Sequence, residues 1–271
     1  AASETHLHAL YRLLISPVRH LLQCKHLVVV PHAFLHRLPF HALFDGQHYL
    51  IDSYSICYAP SASVYYLCSR TKPSKAAGKS TVIGVLDPRT PHIREEVNAV
   101  AAHLPNARVF LGPNATADEL RKAAAESRFL HIATHGEFRT DNPMFSSIRL
   151  ADSFLSVYDF YDLRLRAELV TLSGCGTGLS VVTSGDELLG LVRGLLYSGT
   201  RAVLLTLWDV NDQSTAEFMK RFYARMAAMG DKGEALRQAV QELRASYPEV
   251  YHWAPFVLVG NSMRQSRLRG A

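Results

Sequence analysis

Residues 168–175 read ELVTLSGC, an apolar run with β-branched members that ends on a cysteine held between Gly174 and Gly176. A run of that length, bounded by glycine, reads as a buried strand. Cysteine is ordinarily a small, inert hydrophobe, whereas glycines around it signal backbone freedom, the close approach of another molecule, or both. Residues 128–135, RFLHIATH, repeat the form: an apolar strand, a polar residue (His135) at its carboxyl end, and Gly136 just beyond.

Outward from these two runs, strand-like and helix-like segments alternate. TVIGVLD (81–87) is followed by a helical period over IREEVNAVAAHL, then RVFLG, a helix over ADELRKAAAE opened by Thr116, and RFLHIATH. A hairpin around IRLADSFLSV precedes ELVTLSGC, after which come a helix over DELLGLVRGLLYS, the strand AVLLTLWD, two helices between 212 and 246, and a last strand FVLVG. Such alternation predicts an α/β fold, a mostly parallel sheet with helices on both faces. In open sheets of this kind a ligand site lies beyond the carboxyl ends of the strands, where both polar strand ends fall. Upstream, HLVVV (26–30) reads as a strand, HALFDGQHYLID (41–52) as two extended segments about the hairpin signal Asp45-Gly46, and ICYAPSASVYYL as a segment turning at Pro60 into a helix. The basic, non-periodic stretch 69–80 reads as a flexible linker. Residues 1–70 are then expected as a smaller N-terminal lobe and residues 81–271 as the larger α/β lobe that carries both polar strand ends.

With 48% hydrophobic and 20% charged residues, the 271-residue chain can bury a large core, so disorder is not the default. Its net charge of +5 is modest and its basic residues are scattered apart from 69–80 and the terminal RQSRLRG, so no nucleic-acid partner is expected. The four cysteines have no CxxC pair, which argues against a zinc ribbon or a disulfide framework and for a reducing compartment. No apolar run approaches a membrane span and the start lacks the order of a signal peptide, so a cytoplasmic protein without a membrane partner is expected.

Adjacent strands ending in His135 and Cys175 would bring an imidazole and a thiol together. That pairing is a nucleophile with its base, because a thiol of ordinary pKa is mostly protonated at neutral pH until an imidazole takes its proton or stabilises the thiolate. The backbone N–H groups of Gly136 and Cys175 are the natural donors to a developing oxyanion. Glycines at 174, 176 and 178 do not make a dinucleotide fingerprint, since Leu179 stands where its third glycine belongs. His131 shares a strand face with His135 but lacks helical zinc-site spacing, and reads as a packed or hydrogen-bonded support. Ser184-Gly185-Asp186-Glu187 has the spacing of a helix capping box. His32, His36 and His41 flank a turn-rich segment suited to surface or lobe contacts. No metal site and no cofactor are expected.

The blocks HIATHGEF, LVTLSGCGTG and GDELLGLVRGLLYSGTRAVLLTLWDVND, with VVVPHAFLHRLPFHAL and YAPS upstream, resemble the CHAT domain, a caspase-like peptidase module often found behind tetratricopeptide repeats. The likeness runs from about residue 10 to 260, in the family's block order. It implies a caspase-like fold and a His–Cys dyad that hydrolyses peptide bonds of protein substrates, falling here on His135 and Cys175. It also implies a tetratricopeptide-repeat region or regulatory protein as partner. LLTLWDVND is similar to the strand and loop after the catalytic cysteine of separases, which prefer arginine before the scissile bond. Asp209 and Asp212 of that loop are therefore the expected carboxylates of a pocket for a basic side chain, against the plainer reading that Asp212 caps a helix starting near Ser214. The other reading of the whole is a caspase-like regulatory module with an idle or conditionally active dyad.

Overall fold

The computed structural model describes residues 2–71, 78–137, 142–174 and 186–263, with only the backbone of residues 143 and 186–189. The N-terminal elements are α1 (Ala2–Leu14), β1 (His26–Val29), α2 (Leu50–Ser53), β2 (Ser55–Tyr58) and α3 (Ala62–Arg70). They are followed by β3 (Ser80–Gly84), α4 (Ile93–His103), β4 (Ala107–Leu111), α5 (Ala117–Ala124) and β5 (Phe129–Ala133). Three short strands, β6 (Gly136–Glu137), β7 (Ser147–Arg149) and β8 (Phe154–Ser156), lead to α6 (Val157–Asp162) and β9 (Leu169–Ser173). The remainder is α7 (Asp186–Tyr197), β10 (Ala202–Thr206), α8 (Asp212–Met229), α9 (Lys232–Ser246), α10 (Val250–Trp253) and β11 (Phe256–Gly260).

Eight strands form one sheet in the order β1-β2-β11-β10-β9-β5-β3-β4. Burial follows that order. Every residue of the interior strands β3, β5, β9, β10 and β11 is buried, whereas the edge strands β1 and β4 each carry exposed residues. That is why the interior strands read as unbroken apolar runs. The pairs β3–β4, β3–β5, β5–β9 and β9–β10 are parallel, as are β1–β2 and β2–β11, and only β10–β11 is antiparallel. A five-strand parallel block and a three-strand parallel block therefore meet at one antiparallel seam. The N-terminal residues supply two strands to the same sheet and share its core, with Ile51, Ile56 and Tyr58 in one apolar cluster with Val203, Phe256 and Leu258.

Helices cover both faces. On one, α4 and α8 lie over β5, where buried His131 reaches Glu96 and Tyr223, and α9 lies over β2, where Gly233 packs on Ser55. On the other, α7 packs on β10 with α6 behind it, and α3 packs on β11. Local signals account for the ends: Thr116 accepts from the Glu119 N–H to open α5, Asn211 from Ser214 to open α8, and Gly230 closes α8 in the left-handed region at φ 67°.

Two expectations are corrected. The segment around Asp45-Gly46 is not a hairpin of extended arms; a single Phe44–Tyr49 bridge closes the turn, with a 3-10 turn (Phe40–Ala42) before it and α2 after it. Asp45 uses its carboxylate on the Gln47 and His48 N–H groups, which makes a local turn without needing strands to extend it. Of the stretch 69–80, Ser69 and Arg70 end α3 and Ser80 begins β3, while 72–77 lie outside the described residues.

Candidate active site

Strands β5 and β9 are neighbours, with Ala133 opposite Ser173, and the Thr134 N–H donates to the Ser173 carbonyl at 2.8 Å. The segments that carry His135 and Cys175 thus leave adjacent parallel strands at the same level. Cys175 and its backbone N–H lie outside the described residues, as do Ser184 and the side chains of Asp186 and Glu187 on which the predicted capping box rests. Gly174 is described, and it answers why glycine precedes the cysteine. A Cβ there would lie 1.7 Å from the Thr134 carbonyl oxygen, so the close approach that excludes a side chain comes from the chain's own neighbouring strand.

His135 is partly buried, its side chain 15% exposed, at the root of the small antiparallel sheet β6-β7-β8. Its carbonyl accepts the Arg149 N–H at 2.9 Å, and the Thr134 hydroxyl donates to the Arg149 carbonyl at 2.5 Å, so Arg149 of β7 holds the His135 carbonyl and the side chain just before it. Gly136 pairs with Ile148 in the next position of the ladder. Antiparallel pairing alternates the direction of backbone groups, which turns the Gly136 N–H away from β7. Glu137 follows, exposed.

The residues around the imidazole come from a third strand end that the sequence reading passed over. Beyond β3, the other neighbour of β5, the chain runs into Asp87-Pro88-Arg89-Thr90, and the Thr90 N–H closes a turn onto the Asp87 carbonyl at 3.0 Å. Thr90 Oγ1 lies 3.3 Å from His135 Nε2, and Asp87 Oδ2 lies 3.8 Å from the same nitrogen. Arg89 grips the Asp87 carboxylate through Nε and Nη2, each at 3.0 Å, and Arg149 Nη1 adds a further 3.0 Å contact. Hydrogen bonds from Arg89, first from its side chain and then from its backbone, hold the Asp87 carboxyl well below the usual carboxylate range. The signal was present: Asp before Pro marks a turn, and Asp87 stands at the carboxyl end of a strand as His135 does.

Asp209 and Asp212 follow β10, the strand on the far side of β9. Asp209 is half-buried, and its Oδ1 is buried without a hydrogen-bond partner among the described residues. Asp212 Oδ2 accepts the His92 N–H at 2.8 Å and so ties the start of α8 to the start of α4. Burial pushes its carboxyl up, against the lowering effect of that hydrogen bond. The side-chain cap of α8 is Asn211 rather than Asp212.

His131 is a hydrogen-bonded support: its Nε2 is 2.8 Å from Glu96 Oε1, its Nδ1 3.2 Å from the Tyr223 hydroxyl, and that hydroxyl 2.7 Å from Thr171 Oγ1. His41 is buried between Tyr58 and Trp253, whereas His32 is exposed and His36 half-buried. Among the described residues no group of three or more His, Cys, Asp or Glu could hold a metal ion, and no helix is long and apolar enough to cross a membrane.

The sequence profile of the CHAT domain matches residues 4–261. Tetratricopeptide repeat protein 28 of Mus musculus is 25% identical over an alignment covering 95% of this chain, and its Homo sapiens counterpart 24% identical. The chain spans only 13% of the length of these relatives. Among solved structures, a chain of the Saccharomyces cerevisiae separase–securin complex superposes with a TM-score of 0.57 at 18% identity, over 83% of this chain and 14% of that one. The Arg-specific cysteine proteinase gingipain R superposes with a TM-score of 0.58 at 8% identity, over 96% of this chain and 67% of that one. At such identities the likeness is one of fold, an α/β sheet of the caspase-like cysteine peptidase type.

Proposed function

The chain belongs to the CHAT domain family, and on that premise we propose that it is a cysteine endopeptidase acting through His135 and Cys175. The observation that best supports the reading is the register of β5 against β9, with the Thr134 N–H bound to the Ser173 carbonyl, because these adjacent parallel strands end at one level immediately before His135 and before Cys175 in the sequence. In the reaction the imidazole takes the Cys175 proton and the thiolate adds to the scissile carbonyl carbon. The Gly136 and Cys175 N–H groups receive the oxyanion. Collapse expels the amine, protonated by His135, and leaves a thioester. Water, deprotonated by the same imidazole, then cleaves the thioester to the acid and restores the thiol.

We assign the side chain before the scissile bond to the basic class, with Asp209 as its anchor. Its buried oxygen, unpartnered among the described residues, suits a charge-assisted contact, whereas Asp212 already spends one oxygen on α4. Control by a protein partner or by tetratricopeptide repeats is part of the proposal. The curated relatives are named for such repeats, and separase was crystallised with securin. The deciding experiment is labelling with a peptide acyloxymethyl ketone having arginine at its first position, followed by mapping of the adduct. The peptidase reading expects modification confined to Cys175 and abolished in His135→Ala. Labelling indifferent to that substitution would instead identify a regulatory module with an idle dyad.

A further inference from the structure

Three strand ends lie in a row at the carboxyl edge of the sheet: β3 with Asp87, β5 with His135, and β9 leading to Cys175. The Asp87 side chain is only 7% exposed and that of His135 only 15%, so little water separates them. The carboxylate does not reach the imidazole alone. Arg149 spans from β7, the strand whose backbone also holds the His135 carbonyl, and Arg89 closes from the turn itself. Arg89 is largely and Arg149 about half solvent-exposed, so they restrain the carboxylate without being buried charges themselves. Asp212 also acts on His135 through space, but it is bound to the His92 N–H.

A neutral imidazole carries one N–H and one lone pair, and the hydrogen bond or charge beside one nitrogen decides which is which. Here the anion and the Thr90 oxygen both lie beside Nε2. At 3.8 Å the carboxylate acts as a charge rather than as a hydrogen-bond acceptor, and Thr90 at 3.3 Å supplies the direct contact. An anion at that place favours the proton on Nε2, which leaves the lone pair on Nδ1.

We propose that Asp87 is a positioning residue for His135: clamped by Arg149 from β7 and by Arg89 from its own turn, it holds the imidazole as the Nε2–H tautomer and makes Nδ1 the proton acceptor. The kinetic consequence rests on the proposed dyad; the tautomeric consequence does not. A clamp of this kind also couples the small sheet to the chemistry, since displacing β7 moves the backbone of His135 and the counter-charge of Asp87 together.

Nitrogen NMR of the chain labelled with 15N-histidine, with the His135 signals assigned by comparison with His135→Gln, tests the proposal at a pH where the imidazole is neutral. The wild type is expected as the Nε2–H form, Asp87→Asn to lose that preference, and Asp87→Glu to keep it in part. In parallel, Asp87→Asn is expected to lower kcat/KM by roughly 10²–10⁴-fold with KM little changed, by analogy with the orienting aspartate of other triads. Arg149→Met is expected to lower it roughly tenfold, the equivalent of one charge-assisted hydrogen bond. A wild-type Nδ1–H form, or the same tautomer in wild type and Asp87→Asn, overturns the role of Asp87. Unchanged kinetics in Arg149→Met removes the β7 arm of the clamp. If the wild type cleaves nothing, the tautomer measurement still decides the positioning role, so the two readings fail separately.

Discussion

Asp209 and Asp212 show how two carboxylates three positions apart acquire different work. Asp212 sits in the first turn of α8, where its Oδ2 takes the His92 N–H, and burial raises its pKa. Asp209 stands before that helix with a buried oxygen that no described group satisfies. Asp209→Asn is therefore expected to flatten a peptide-library preference for arginine or lysine. Asp212→Asn should keep the preference while costing about 1 kcal/mol of stability, since an amide oxygen accepts the same N–H less strongly. A profile that survives Asp209→Asn unchanged takes this residue out of the pocket. The two strand ends proposed to carry the dyad were legible in the sequence because each closes a plain apolar run with a polar residue before a glycine. Asp87 also follows an apolar strand, but proline stands after it in place of glycine, and its partners were hidden: Arg149 arrives from β7 only through tertiary pairing, and no local pattern announces that contact.

At the level of elements, the buried group of His131, Glu96, Tyr223 and Thr171 fastens α4 and α8 onto β5 and β9, the two strands that lead to the candidate site. Glu96 is 2% exposed and His131 fully buried, so deleting one leaves the other without its partner in a dry place. Glu96→Ala is expected to cost roughly 3–5 kcal/mol in urea unfolding, and Glu96→Leu with His131→Leu together less than the sum of the single changes. Strict additivity in that cycle would mean that the pair does not interact. The strands and helices from 80 onward follow the predicted order because each period is local. Pairing partners are not local: nothing within FVLVG reveals that β11 runs against β10 and along β2, and nothing within HLVVV reveals which strand it joins.

For the whole molecule, acid stability has an identifiable contributor. His41 is buried against Tyr58 and the Trp253 ring, and burial lowers its pKa from 6.5 to about 4, partly opposed by the nearby Ala254 backbone. The unfolded chain binds this proton more readily than the folded one, so the contribution of neutral His41 is complete above about pH 6.5 and is lost as pH falls toward 4. The full swing is on the order of 3 kcal/mol. His41→Phe is expected to lose stability less steeply than wild type between those limits, whatever its stability at neutral pH; parallel slopes would mean that His41 is not the sensor. The seam at β11 reaches further, into biosynthesis. On the ribosome β2 is complete at Tyr58, but the strand that joins it to β10 begins only at Phe256. Until then the nascent chain carries two apolar sheet edges with nothing between them, the condition in which partly made proteins associate with one another. A premature stop codon between Thr206 and Phe256, after β10 and before β11, is thus expected to yield inclusion bodies in place of a shortened protein.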